Sequence, residues 1–364
     1  MDLMGDLGAS TQLDSARLEN SELRSQLSAA RALIRGLESD AASASAELDA
    51  AHREIRELRA QLLLVGGADG RLFELRWGLY GPDGTQLPSE APAATLLHEA
   101  SAPVVTLAGE AGGALALGCM SGSLCFRAAP SAAEPAPAFA RLAHRHAKRV
   151  TCVRFSRDSP ARAASPHRFL ASAGADGLLL VFELGEGEPR LLHKIPAGGT
   201  PTCVLFASPC ELAFYAGGAA HLSFLALPSA ALTAATLNGE RAYDTHASFE
   251  VLALDRVGEG VLLCCTDKSR SIVLAEGEGG WAQVGNLYGA ENDSYSNARC
   301  VFWGSDRAVG SDQATNELVV WGLLEEGERQ RLGGHKGQVR DLASCRFSGT
   351  LVSVGFDKTV RVWL

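Results

Sequence analysis

Two hydrophobic periods divide the chain. From Leu13 to Leu62 one row recurs every seven residues as Leu13, Asn20, Leu27, Ile34, Ala41, Leu48, Ile55 and Leu62. A second row follows at Ala16, Leu23, Ala30, Leu37, Ala44, Ala51 and Leu58. Heptads sustained this long predict a single α-helix burying a narrow seam against another helix. No Pro interrupts the pattern, and its one glycine, Gly36, costs about 1 kcal/mol against Ala. Beyond it the period shortens. Brief β-branched and apolar runs alternate with Gly, Asp and Pro clusters, which predicts many short strands. The expected organisation is a coiled-coil helix over 11–64 and a β domain over 65–364.

The clearest β unit lies at the end. Val339, Leu342 and Phe347 are the apolar positions of one strand, and Leu351–Val354 and Thr359–Trp363 form two more. Gly355-Phe356-Asp357-Lys358 joins the last two as a hairpin. Asp in such a turn bonds its own backbone, and its carboxylate can satisfy a buried His. A His beside an Asp also suits catalysis, but no nucleophile motif accompanies this pair.

The unit recurs. His146 to Val150 matches His335 to Val339, Ser172-Ala173-Gly174-Ala175-Asp176 matches Ser353-Val354-Gly355-Phe356-Asp357, and Phe182 falls where Trp363 does. Asp158 to His167 is a Pro-, Ala- and Ser-rich stretch that reads as a loop insertion. Asp267-Lys268-Ser269 repeats the turn, with Leu263 and Val273 for the Ser and the Trp. Ser311 and Trp321 keep those two positions, while Ala290 and Thr315 replace the His and the Asp. With weaker copies ending near Phe126 and Phe224, the strand ends lie about 40 to 56 residues apart, near the period of propeller blades.

On these residues the chain resembles the WD-repeat β-propellers. The resemblance implies an all-β propeller of six or seven four-stranded blades, preceded by a long N-terminal α-helix forming a coiled coil. It implies a buried hydrogen-bonded chain through His335, Ser353, Asp357 and Trp363, repeated at His146, Ser172 and Asp176, and a binding platform in place of a catalyst. Six repeats are recognisable from about residue 98 onward. The family closes its ring by lending an N-terminal strand to the last blade. Leu72–Trp77 is one candidate for that strand; alternatively Leu62–Leu75 is the remnant of a seventh blade, because Gly67-Ala68-Asp69-Gly70 echoes Gly174-Ala175-Asp176-Gly177. Seven blades, one incomplete, is the preferred count.

The heptads also speak to partner number. Asn20 in the seam favours a parallel, in-register pair in which Asn meets Asn. Glu19 with Arg24, and Glu54 with Arg59, could pair across it at about 0.3–0.5 kcal/mol each. Ala30, Ala41, Ala44 and Ala51 leave the seam thin. A homodimer through 13–62 is the first expectation. A coil shared with a different chain, or a helix docked on the propeller, are the alternatives.

Composition narrows the chemistry. Charged residues make up 21% and the net charge is −9, so no specific nucleic-acid affinity is expected. The basic run Arg141 to Arg149 reads as a solvated loop, an anion-binding edge or a nuclear-import signal. Nine Cys are scattered without metal-ligand spacing, mostly inside apolar runs, as buried thiols of a reducing compartment would be. No apolar h-region opens the chain and no run is long enough to span a membrane, giving a cytoplasmic or nuclear expectation. P-loop, Gly-x-Ser-x-Gly, His-Glu-x-x-His and dinucleotide fingerprints do not occur. No enzyme activity, metal or cofactor is expected.

Partners of such propellers meet the face where the loop before the inner strand joins the turn before the Trp strand. The resemblance puts Gln338, Arg340 and Phe356 there, with Arg149, Thr151 and Ala175 in the second-best repeat and Arg299 at the position of Arg340 in a third. An arginine group beside an aromatic suits an acidic or phosphorylated peptide. The expected function is a non-catalytic protein–protein interaction scaffold, dimerised by the coil. The alternative is a subunit of a larger hetero-complex, such as a ubiquitin-ligase substrate receptor or a ciliary or trafficking assembly.

Overall fold

The computed structural model describes residues 62–76, 93–110, 113–130, 137–156, 168–185, 187–208, 210–227, 243–244, 249–258, 260–278, 280–293, 298–324, 329–345 and 349–363. All fall within one compact unit, Ala60–Leu364. The heptad segment up to residue 61, on which the expectation of a coiled coil falls, lies outside the described residues. So does the insertion at 158–167. Leu62, the last heptad position, already belongs to a strand.

Seven antiparallel sheets follow one another along the chain. The first holds β1 (Leu62–Gly66), β2 (Arg71–Arg76) and β3 (Ala93–Glu99). The second holds β4 (Val104–Gly109), β5 (Leu115–Cys119), β6 (Leu124–Arg127) and β7 (Ala140–Arg141). The third runs through β8 (Val150–Phe155), β9 (Phe169–Gly174), β10 (Leu178–Glu183) and β11 (Arg190–Pro196). The fourth comprises β12 (Pro201–Ser208), β13 (Glu211–Ala216), β14 (His221–Ala226) and β15 (Tyr243–Asp244). β16 (Val251–Arg256), β17 (Val261–Lys268), β18 (Arg270–Gly277) and β19 (Gly280–Tyr288) make the fifth. β20 (Cys300–Trp303), β21 (Arg307–Asp312), β22 (Glu317–Gly322) and β23 (Arg329–Leu332) make the sixth. β24 (Val339–Cys345), β25 (Thr350–Gly355) and β26 (Val360–Trp363) complete the set.

Each sheet is a meander, because its strands are joined by hairpins whose Gly and Asp turns only antiparallel neighbours need. Their faces are apolar on both sides, so successive sheets stack. Six buried clusters fill the six gaps from the first sheet to the seventh, one per neighbouring pair. The third gap is typical: Phe169 and Phe206 stack with centroids 6.5 Å apart, beside Val181, Ile195 and Phe214. A fully buried side chain of this size contributes about 1.5–3 kcal/mol. Between the seventh sheet and the first, no such cluster occurs among the described residues. This is a seven-bladed, all-β propeller.

The six predicted strand ends, Phe126, Phe182, Phe224, Val273, Trp321 and Trp363, all lie in the third strand of a blade. The first sheet is the additional blade suggested by Gly67–Gly70. Ala100 N donates to Gly70 O as Ala197 N donates to Gly177 O, which makes β1, β2 and β3 the second, third and outer strands of that blade. The closing-strand reading of Leu72–Trp77 is therefore corrected. β2 is paired on both edges, with β1 and with β3, and cannot lend itself to β26. Among the described residues the first blade lacks an inner strand and the seventh an outer one. No helix among them is long and apolar enough to cross a membrane.

Candidate protein-binding face

The loops at one end of the blades are held by buried polar chains. In the seventh blade Trp363 Nε1 donates to Ser353 Oγ at 3.0 Å, and Ser353 Oγ lies 2.8 Å from His335 Nε2. His335 Nδ1 lies 3.1 Å from Asp357 Oδ2, whose carboxylate also accepts from the Lys336 and Thr359 amides and the Thr359 hydroxyl. The network fixes the tautomer: Ser353 donates to Nε2, and Nδ1–H donates to Asp357. Burial alone would push the Asp357 carboxyl up. The amides of Lys336 and Thr359, the Thr359 hydroxyl and His335 outweigh it, holding the group well below the usual carboxylate range.

The third blade repeats this with one member fewer. His146 is 3.0 Å from Ser172 Oγ and 2.9 Å from Asp176 Oδ1, while Ala147 N donates to Oδ2 at 2.8 Å. Phe182 has no donor to continue the chain. Burial holds the His146 ring below its ordinary value despite Asp176, so it is neutral at pH 7.

Both blades need glycine before the turn. A Cβ on Gly174 would lie 2.2 Å from His146 Nδ1, and one on Gly355 2.7 Å from His335 Nδ1. The degenerate blades keep parts of the device. Asp267 Oδ1 accepts from Glu250 N at 2.8 Å in the fifth. In the sixth, where Ala290 stands for the His, Ser311 Oγ accepts from Arg299 N and Trp321 Nε1 donates to Tyr288 O.

Above these chains the fold brings several of the sequence-predicted face residues near one another. Phe356 N donates to Gln338 O at 3.0 Å, as Ala175 N donates to Arg149 O at 2.9 Å, so equivalent loops are tied alike. Phe356 remains 60% exposed, and the Arg340 guanidinium lies 5.9 Å from its ring centroid. Gln338 and Arg149 are exposed; Arg299 and Arg340 are half-buried. The Arg340 guanidinium is pushed below its ordinary value by burial first, then by the neighbouring charge of Arg299, with Asp341 opposing and Arg149 adding. Its Nη1 is buried and has no hydrogen-bond partner. Four separate blade segments thus converge on one cationic patch with an exposed aromatic.

Asp341 is a member that sequence reasoning missed. Its Oδ1 lies 3.3 Å from Arg299 Nε, a partly exposed pair contributing about 1 kcal/mol or less. The two residues are neighbours only because β20 and β24 stand side by side at the axis. Below the patch, the central channel is lined by Thr106, Thr151, Arg154, Thr202, Arg299 and Asp341. All nine cysteines are free thiols, seven buried and two half-buried. Among the described residues no three His, Cys, Asp or Glu side chains meet in a metal-binding group.

Known proteins agree with this geometry. Residues 140–183 and 327–363 match the WD domain, G-beta repeat family, and these are the blades with the His–Asp chains. No curated protein matches the chain. Among solved structures it is similar to the computationally designed Ika8 protein, with TM-score 0.53 and 17% identity over 83% of this chain and 93% of that one. The β-propeller domain of Myceliophteria thermophila Cps50 (Swd1) gives TM-score 0.59 and 13% identity, covering 83% and 93%. The WD40 β propeller domain of Doa1 gives 0.61 and 11%, covering 83% and 88%. At these identities the likeness is one of fold. The repeats and the seven sheets together support the WD-repeat family.

Proposed function

We propose that the chain is a non-catalytic protein–protein interaction scaffold whose propeller binds acidic or phosphorylated segments on the face formed by Arg149, Arg299, Gln338, Arg340 and Phe356. The observation that carries this reading is Arg340. Its half-buried guanidinium lies in the field of two like-charged groups, Arg299 and Arg149, and against an exposed aromatic ring. A carboxylate or phosphate would pair with the exposed parts of this guanidinium cluster through charge-assisted bonds. The ring of Phe356 supplies the apolar contact such an anchor needs.

The heptads of residues 13–62 support a parallel homodimer, which would give two identical faces and raise affinity for a repeated or dimeric partner by about 10²–10⁴. Asn20→Leu then blurs the oligomeric state seen by light scattering; an unchanged state is incompatible with a self-paired coil.

The test of the face is affinity purification with mass spectrometry on the full chain, comparing wild type with the Arg340→Glu/Phe356→Ala variant after circular dichroism shows an intact fold. Loss of a defined set of partners, weakening further as salt is raised, is expected. Retention of every partner by the folded variant refutes the face. Partners lost only on removing residues 1–62 move recognition to the helix.

A further inference from the structure

The face at the loop end leaves the outer rim of the propeller unexplained. Every outer strand offers unpaired backbone N–H and C=O groups to any second strand, and charged side chains are the usual protection. Five of the six outer strands here carry one: Glu99 on β3, Arg141 on β7, Arg190 and Lys194 on β11, Asp244 on β15, and Arg329 and Arg331 on β23. The sixth is β19, Gly-Trp-Ala-Gln-Val-Gly-Asn-Leu-Tyr, and no residue in it is charged. At nine residues it is also the longest described strand. Its inner edge pairs with β18, and no described strand pairs with its outer edge.

Beside it runs a groove of about 800 Å³ between the fifth and sixth blades, lined by Val257, Val273, Phe302, Trp321 and Leu323, with Arg329 at its margin. Val284 sits at the bulge where β18 and β19 shift register, and is 63% exposed; Tyr288 is 56% exposed. A long edge strand, exposed apolar side chains and a largely apolar groove occupy one place, with Tyr288 O at the strand's end already accepting from Trp321 Nε1 and Arg329 Nη1.

We propose that β19 pairs antiparallel with the β19 of a second copy of this chain, so that each outer edge satisfies the other and apolar side chains at the seam pack over both grooves. The charge pattern selects this occupant. In a two-fold contact the same strand meets itself, so an edge with a net charge meets its own sign, and β11 or β23 would set cations against cations. A foreign strand imposes no such rule, because a charged edge could meet the opposite charge. A strand with no charged residue of its own, in a chain of net charge −9, suits self-pairing, and Arg329 bonds it at Tyr288, its end. The contact is distinct from any coil through residues 13–62, and needs neither that coil nor the cationic face.

Hydrogen–deuterium exchange on the full chain over a roughly hundredfold dilution, paired with sedimentation velocity, tests it. Residues 281–288 should lose protection as the chain is diluted, with a parallel fall in mass. Val284→Lys, at an exposed site where folding is unaffected, should abolish that concentration dependence; Val284→Thr should keep it. Thermal midpoints of both variants check that the fold is intact. Exchange of β19 that does not respond to dilution overturns the proposal, including the case in which mass still changes through another surface. So does an unaltered dilution response in folded Val284→Lys.

Discussion

Replacing Ser353 by Ala isolates the hydrogen-bonded chain of the seventh blade, because the two side chains differ in little except one hydroxyl. Ser353 is fully buried, and its oxygen serves both Trp363 Nε1 and His335 Nε2. Without it His335 Nε2 loses its donor at a side chain only 1% exposed, which costs about 1–3 kcal/mol. Trp363 is half-buried and its N–H can find water, so that loss costs about 0.5–1.5 kcal/mol. The expected destabilisation is about 1.5–4.5 kcal/mol. Ser172→Ala removes one bond only, since Phe182 has no donor, and should cost about 1–3 kcal/mol. Blades can open separately, so native-state hydrogen exchange of β25–β26 and of β9–β10 is the proper assay. Trp363→Phe in the Ser353→Ala background closes a double-mutant cycle with an expected coupling of about 1 kcal/mol. A vanishing coupling, or a cost for Ser353→Ala below about 0.5 kcal/mol, would show that the chain of bonds does not hold the blade.

Four further outcomes are expected. Because burial holds His146 below 6.5, the unfolded chain takes up its proton first, so stability is full above about that pH and declines below it. His193, lowered by the same cause, adds to this window, so His146→Gln should reduce the slope of urea stability between about pH 7.5 and 5.5 without abolishing it. Asp176 acts lower: burial pushes it up, but the Ala147 amide and His146 prevail and hold it below 3.8. Its contribution is present above that pH and is lost on further acidification, which Asp176→Asn should remove. Gly174→Ala and Gly355→Ala should each cost about 1–3 kcal/mol by urea titration, the first more than the second, following the shorter approach to the imidazole. Arg340→Gln should leave thermal stability equal or higher, by up to about 1 kcal/mol, while binding on that face is lost; a clear loss of stability would make Arg340 a structural residue.

Much of the blade order is legible in the sequence, since turn chemistry and β-branched runs are local. The Ser-Ala-Gly-Ala-Asp and Ser-Val-Gly-Phe-Asp turns mark the same hairpin in two blades, and all six predicted strand ends fall in third strands. The blade count needed the fold. β2 reads as a free strand until its pairing on both edges is seen, because one apolar run says nothing about how many neighbours it has. Phe356 illustrates the same limit: the turn is local, but the 5.9 Å approach of Arg340 depends on how that turn lies over its own inner strand.

Sequence alone thus determined the features written in short-range pattern: strands and their turns, the His–Ser–Asp positions, and the seven-residue period of 13–62. Tertiary structure decided what depends on neighbours about forty residues away in the chain. It set Arg299 against Asp341, left Arg340 Nη1 buried and unmet, and laid the uncharged edge of β19 beside an open groove. The reason is physical. Hydrogen bonds within a hairpin are chosen by residues a few positions apart, whereas the faces of a propeller are assembled by stacking whole sheets, and only that stacking says which side chains meet.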